Sequence, residues 1–443
     1  MPARAGGWRL MESEISRLSV QDRKRLLTLS QAHFRNPSGS DLLKRTERFY
    51  DFLQRRAQFG LWPFSRSLER AIGPHTEISD ISGVKRHGIN FGSHDYLGLN
   101  THPRISEAAV EAIREYGPHS GGSAILIGNS RLSLQLEQAV GELLKMEHVT
   151  LYPTGWAAGY GAIAAFVRPR DHVVMDYLSH ACLQQGATGA TSQSEIRAQD
   201  TRNGILVITE GLFSMDSDSP DLATLQEVSR SYGATMLVDV AHDLGAMGPG
   251  GGSVLSLQGM LGKVDLVMGS FSKTFGTSGG FLASHSPAAK QYSKYFGNPH
   301  MFSNFLAPMQ AAIALEAIKI VRSSEGDALR ARLMTVVDAL RNGFAEHGIA
   351  CLGTPSGIVS IPFNNDKLVR LASRRIAERG VFVNLVEYPA VRIGGARFRM
   401  LAMATHNEAD AREAIAKILE ASEQAAQDLN TWLPDATAEQ ASA

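Results

Sequence analysis

The chain has 443 residues, enough to bury a large core and to form more than one domain. Its 44 Lys and Arg balance its 44 Asp and Glu, which excludes a global charge built for nucleic acid or an anionic lipid surface. Two cysteines, Cys182 and Cys351, exclude a disulfide framework, and no apolar run reaches the roughly 18 residues of a membrane span.

Residues 1–90 are rich in charge and helix formers and predict an N-terminal helical arm. The opening MPARAGGWRLMESEISRL lacks the apolar centre of a signal peptide, so a soluble cytoplasmic enzyme is expected. LLKRTERFYDFLQRRAQFGLWPF (42–64) mixes basic and aromatic residues; a membrane surface would suit it, but packing against a partner subunit is the expected arrangement. Over residues 91–320 short apolar runs alternate with helical patterns such as LATLQEVSRSYG (222–233). The runs are VTLY (149–152), HVVMD (172–176), GILVITE (204–210), MLVDV (236–240) and DLVMGS (265–270). They are too short and too rich in branched residues to be helices, and the alternation predicts a doubly wound α/β domain on a mostly parallel sheet. Over 321–425 the shorter strands IVSIPF, VFVNLV and RFRMLAMA, with helices at 366–379 and 408–421, predict a smaller α+β domain. The tail, 426–443, is expected to be disordered.

Four of the predicted strands deliver polar residues at their ends. HVVMDYLSH delivers His180, VITEGLFSMDSD delivers Glu210 and Ser214, MLVDVAH delivers Asp239 and His242, and DLVMGSFSK delivers Ser270, Ser272 and Lys273. Taken singly, each has an ordinary explanation as a satisfied core residue or a helix cap. Ligands of open parallel sheets bind outside the carboxyl ends of the strands, so these side chains converge where a ligand belongs. Lys273, 34 residues beyond Asp239, makes the convergence specific. A lysine that holds an aldehyde as a Schiff base, and a carboxylate that keeps a pyridine nitrogen protonated, suit pyridoxal phosphate. The phosphate needs a cradle, and VTLYPTGWAAGYGAIAAF (149–166) predicts one: a strand, a turn at Pro153-Thr154-Gly155, then a helix whose first free N–H groups belong to Gly155 and Trp156. Two weaker patterns lead elsewhere. Ser270-Phe-Ser-Lys273 matches the S-x-x-K of penicillin-recognising acyl hydrolases, but S-D-N and K-T-G are missing and the serine ends a strand instead of opening a helix. GPGGGS (248–253) is an imperfect dinucleotide fingerprint and reads as a flexible loop.

The motifs SHDYLGL (93–99), DYLSHACLQQG (176–186), TEGLFSMDSD (209–218), VDVAHDLGAMG (238–248), SFSKTFGTSGGF (270–281), MFSNFLAP (301–308) and ARFRMLAMATH (396–406) occur together and in this order. In this the chain resembles the α-oxoamine synthase family of fold-type I pyridoxal phosphate enzymes. The resemblance implies a homodimeric acyltransferase that condenses an amino acid with an acyl thioester of coenzyme A or a carrier protein, losing carbon dioxide to leave an aminoketone. It implies that Lys273 bears the cofactor, Asp239 pairs with the ring nitrogen, His180 stacks on the ring, and His242 and Ser214 bond the ring hydroxyl oxygen. It further implies that Gly155, Trp156 and Ser270 bind the phosphate, Ser303 reaches the phosphate of the neighbouring subunit, and Arg399 holds the amino-acid carboxylate. No metal is implied. The chain departs from the family at Val240 and Asp243 (usually Glu and Ser), Asn304 (usually Thr), Ala158 (usually Asn), and Ala124 and Ser133 (often Arg and His). The last two lie near the family's acyl entrance and bear on substrate identity. A non-decarboxylating aminotransferase or aldolase on the same fold is the nearest alternative. A non-catalytic partner subunit is the other, and retention of Lys273 argues against it.

Overall fold

The computed structural model describes residues 15–191 and 202–434. Thirteen strands form three sheets among the described residues. They are β1 (Ser67–Leu68), β2 (His75–Ser79), β3 (Lys85–Asn90), β4 (His148–Tyr152), β5 (His172–Met175), β6 (Ile205–Glu210), β7 (Thr235–Asp239), β8 (Leu266–Ser270), β9 (Gly280–Ser284), β10 (Ile358–Pro362), β11 (Val381–Phe382), β12 (Asn384–Val386) and β13 (Arg397–Leu401).

The central sheet has the order β4-β9-β8-β7-β6-β5. β5 to β8 pair in parallel, and β9 runs antiparallel to both of its neighbours. Five strands therefore point the same way, as the alternating pattern predicts, and all five predicted runs are among them. Helices cover the sheet, so β7 and β8 are buried almost throughout and read as continuous apolar runs. β9 (GFLAS) escapes a sequence reading because Gly279 precedes it and Gly280 opens it. Gly280 serves a close approach: a Cβ there would meet the backbone of Thr154 and Gly155 at 2.7 Å. GPGGGS, expected as a flexible loop, is an ordered turn in which Gly245 N–H donates to Gly251 C=O at 2.8 Å.

β10, β13 and β12 form an antiparallel sheet, backed by helices Asp366–Glu378 and Glu408–Trp432. The second helix runs well beyond the predicted 421, and the expected disorder from 426 is wrong as far as 434. Leu429 and Trp432 are buried, and Trp432 meets Phe59 edge-on at 5.8 Å, so this last turn is held by tertiary packing. Residues 435–443 lie outside the described residues, as do 1–14.

The expected helical arm also needs correction. Helices Val20–Thr28 and Glu47–Gln58 are present, but residues 67–90 form β1 to β3, and β3 pairs in parallel with β11. Gly88 permits that pairing, since any Cβ there would collide with the backbone of Gly380. Part of the arm packs on its own chain. Buried Arg56 donates to Leu26 C=O at 2.9 and 2.8 Å and to Leu29 C=O at 3.0 Å, with Glu387 3.8 Å away. Burial pushes its guanidinium down to about 9, the neighbouring Arg370 adds to the shift, and Glu387 opposes it.

Candidate active site

β8 ends at Ser270 and the chain returns as β9 at Gly280, so Lys273 rides on a short loop between two paired strands. Phe271 N–H donates to Gly279 C=O at 2.9 Å and Thr277 N–H to Phe271 C=O at 3.1 Å, closing the loop. Buried Phe271 and Phe275, with ring centroids 5.7 Å apart, anchor it from below, and Gly276 supplies the left-handed turn at φ 65°. The lysine is thus fixed at the carboxyl edge of the sheet.

A cavity of about 390 Å³ opens at that edge and is lined by Lys273, Asp239, His180, His242, Glu210, Ser270, Ser272, Gly155 and Trp156, among others. Larger hollows lie elsewhere, one of about 790 Å³ at the opposite ends of β6 to β8, but none gathers comparable chemistry. Asp239 is buried, and its Oδ1 accepts from Ala241 N–H at 2.8 Å. Among the described residues no hydrogen bond engages its other oxygen. Glu210 is its register partner on β6 and accepts from His180 N–H at 2.6 Å, which fixes the start of helix Ala181–Ala190 and the root of the imidazole. The ring's Nδ1 accepts from Cys182 N–H at 3.3 Å and lies 3.0 Å from the Cys182 thiol, leaving Nε2 to carry the proton.

Burial dominates the electrostatics. It lowers the Lys273 ammonium, opposed by the carboxylates of Asp239 and Glu210, and so favours a neutral amine. It raises Asp239, with Lys273 opposing, and raises Glu210 well above the usual carboxylate range, with Asp239 adding to the shift. His242 falls well below the usual imidazole value through burial and then the Lys273 charge. One carboxylate beside one amine, with neutral imidazoles around them, is a site built for moving a proton.

The other end of the cavity fits a phosphate. Thr154 caps helix Gly155–Phe166, its hydroxyl accepting from Ala157 N–H at 3.0 Å, so the N–H groups of Gly155 and Trp156 remain free at a positive helix terminus. A Cβ at Gly155 would collide with the Ser270 side chain, so only glycine lets the helix start meet the serine. The Ser270 and Ser272 hydroxyls, 2.7 Å apart, complete the cradle. A phosphate cradle, a buried carboxylate with a spare oxygen and a lysine in between match pyridoxal phosphate in size and in donor set.

Three expected residues do not border this cavity. Ser214 is buried, and its carbonyl accepts from Arg399 Nη1 at 3.1 Å. Arg399 reaches the site through His94, whose Nε2 is 3.5 Å from Nη2 and whose ring centroid is 5.7 Å from that of His242. Ser303 sits in a segment held to residues 119–122, where Phe305 N–H donates to Gly122 C=O at 2.9 Å. Residues given no role by the sequence reading also appear: Glu210 under His180, Cys182 beside it, and His94 with Tyr96, whose hydroxyl is 2.9 Å from His242 Nδ1. No local pattern in SHDYLGL marks that pair, because residues 93–98 form neither strand nor helix. Of the departures, Asp243 is fully buried and accepts from Val254 N–H at 2.9 Å, with burial pushing it up to about 7.

The family model for aminotransferases of class I and II matches residues 86–418. The chain belongs to that family. It is 32% identical over 379 residues to an 8-amino-7-oxononanoate synthase of Geobacter metallireducens, covering 80% of this chain and 96% of that one. It is 30% identical over 397 residues to a serine palmitoyltransferase of Sphingobacterium spiritivorum, covering 86% and 98%. Among solved structures, a serine palmitoyltransferase variant from S. paucimobilis with a bound pyridoxal phosphate–myriocin adduct matches with TM-score 0.80 and 26% identity, over 87% of this chain and 99% of that one. Within the family the chain is an α-oxoamine synthase, a pyridoxal phosphate-dependent acyl-condensing transferase, and the aminotransferase and aldolase alternatives fall away.

Proposed function

We propose that the cavity at Lys273 joins the Cα of an amino acid to the acyl carbon of a thioester, with loss of carbon dioxide, to form an α-aminoketone. One observation supports this above all: Lys273, Asp239, His180 and the start of helix Gly155–Phe166 border a single cavity. When bound, pyridoxal phosphate supplies an electron sink for negative charge at Cα. Lys273 Nζ would hold the cofactor and would take the Cα proton, a task that its lowered ammonium pKa suits. Asp239 would keep the ring nitrogen protonated through a charge-assisted hydrogen bond. His180 would cover the ring and offer Nε2–H to charge developing on the thioester carbonyl. His242 would bond the ring hydroxyl, and Gly155, Trp156 and Ser270 would hold the phosphate; Ser214, which does not border the cavity, is given no contact with the ring.

Arg399 clamps the substrate carboxylate and so aligns the Cα–H bond. Its neighbour Arg397 is already engaged in an ion pair with Asp216, whereas the buried Nε of Arg399 has no hydrogen-bond partner among the described residues. Given its amino acid and acyl thioester, the protein is expected to release carbon dioxide and thiol in equal amounts. Thiol without carbon dioxide would move the function to a non-decarboxylating acyltransferase.

The working form in this reading is a homodimer, with Ser303 reaching the partner's phosphate, and its compartment is the cytoplasm. No described helix is long and apolar enough to cross a membrane. Mixing Lys273→Ala with Ser303→Ala protein is expected to restore part of the activity through hybrid dimers. A fully active monomer by light scattering refutes the shared site.

A further inference from the structure

Between the end of helix Glu47–Gln58, the turn that joins β2 to β3, and helix Asp366–Glu378 lies a small cavity of about 20 Å³. Its walls include four arginines, Arg66, Arg86, Arg370 and Arg374, together with Trp62 and Ser373. Arg86 pairs with Asp80 at 2.7 Å, Arg374 with Glu378 at 2.7 Å and Arg370 with Glu387 at 2.6 Å. Glu387 also faces buried Arg56, 3.8 Å away. Half-buried Arg66 forms no ion pair or hydrogen bond among the described residues. Asp80 is already engaged at both oxygens: Oδ2 accepts from Arg86, and Oδ1 accepts from Ser82 N–H at 2.9 Å and Val84 N–H at 3.0 Å. Five guanidinium groups thus share three carboxylates. Burial pushes Arg66 down to about 10, the neighbouring Arg86 adds to the shift, and Asp80 opposes it.

Two neutral donors border the same cavity. The indole Nε1 of Trp62 and the hydroxyl of Ser373 are buried, and neither has a hydrogen-bond partner among the described residues. An indole N–H can only donate, and a serine inside a helix has a carbonyl of the preceding turn within reach. Ser373 does not use it. The ring of Trp62 is held edge-on to Phe49 at 6.0 Å and to Phe64 at 5.3 Å, so its N–H is fixed in place. Buried donors left open beside surplus positive charge are the complement of an acceptor that is itself negative. Volume sets the size of that acceptor. A single water needs about 10–15 Å³, so the space takes one water or one monatomic anion and is too small for a phosphate or a nucleotide. Water would satisfy the donors but leave the surplus charge uncompensated.

We infer that this cavity binds one monatomic anion of the halide class, held by Arg66, Trp62 Nε1 and Ser373 Oγ, and that the ion ties residues 57–66 to helix Asp366–Glu378. The site is separate from the cavity at Lys273 and does not rest on the reading of the reaction. The test uses full-length, cofactor-loaded protein. Crystals grown without halide and soaked in bromide are expected to show an anomalous peak among those three side chains. At fixed ionic strength, exchange of gluconate for chloride should raise the unfolding temperature by roughly 1–2 °C for each tenfold of chloride beyond half-saturation. That rise should vanish in Arg66→Gln and in Ser373→Ala, while cofactor loading stays at the wild-type level and shows that both fold. Water density without an anomalous signal overturns the proposal. So does a peak without a chloride-specific rise, or with a rise that both variants retain, either of which marks an adventitious ion only. Stabilisation by phosphate or sulfate equal to that by chloride overturns the size argument and the assignment with it. If a variant fails to fold, the two wild-type measurements decide the question alone.

Discussion

Lys273→Ala is expected to slow Cα proton exchange by about two to four orders of magnitude, the range typical of losing a positioned general base. The lysine sits on a loop pinned by paired strands, within the field of Asp239 and Glu210, at a point where burial favours the neutral amine. Borohydride treatment of cofactor-loaded wild type should fix the cofactor on the peptide that contains Lys273, and the variant should give no such peptide. A reduced adduct on any other lysine removes the assignment. Loss of the adduct with exchange at the wild-type rate would leave Lys273 as an anchor and return the base to another group.

Arg399→Ala is the second large effect. A bidentate bond between a guanidinium and a carboxylate is worth roughly 1.5–3 kcal/mol, so apparent affinity for the amino acid should fall about tenfold or more. Cofactor loading should be unchanged, because Arg399 meets the cavity only through His94 and His242. Titration of the cofactor's visible absorbance with amino acid reads the two separately. Arg397→Ala is the control: its guanidinium is held by Asp216, and its Nε donates to Gly395 C=O at 3.0 Å, so its loss should disturb the loop before β13 more than substrate affinity. Amino-acid binding that is unchanged in Arg399→Ala and weakened in Arg397→Ala would reverse the two roles.

The legible part of the site was the part carried on strand ends. Asp239, Glu210, Ser270 and Lys273 each follow an apolar run, and a parallel sheet places such positions on one edge without further information. Gly155 and Trp156 were legible for a similar local reason, because a strand, a turn and a helix in immediate succession form an anion cradle on their own. Less legible was anything that depends on two distant segments. SHDYLGL contains His94 and Tyr96, yet nothing near them in the chain says that they will stand beside His242. Arg397 and Arg399 share a face of β13, and only the presence of Asp216 beside one of them separates their tasks.

The sequence by itself determined the apolar runs of β4 to β8, the polar residues at their carboxyl ends, and the motif set that marks an α-oxoamine synthase. These are local or linear properties, set by hydrophobic periodicity and by residue type at a turn. The tertiary structure alone decided that β9 slips between β4 and β8, bringing Gly155 against Ser270. It alone decided that residues 67–90 become strands against β11, and that the C-terminal helix stays ordered through Trp432. Each of those outcomes is chosen by packing against another segment of the chain, such as Phe59 under Trp432, and such energy has no signature within a short window of sequence.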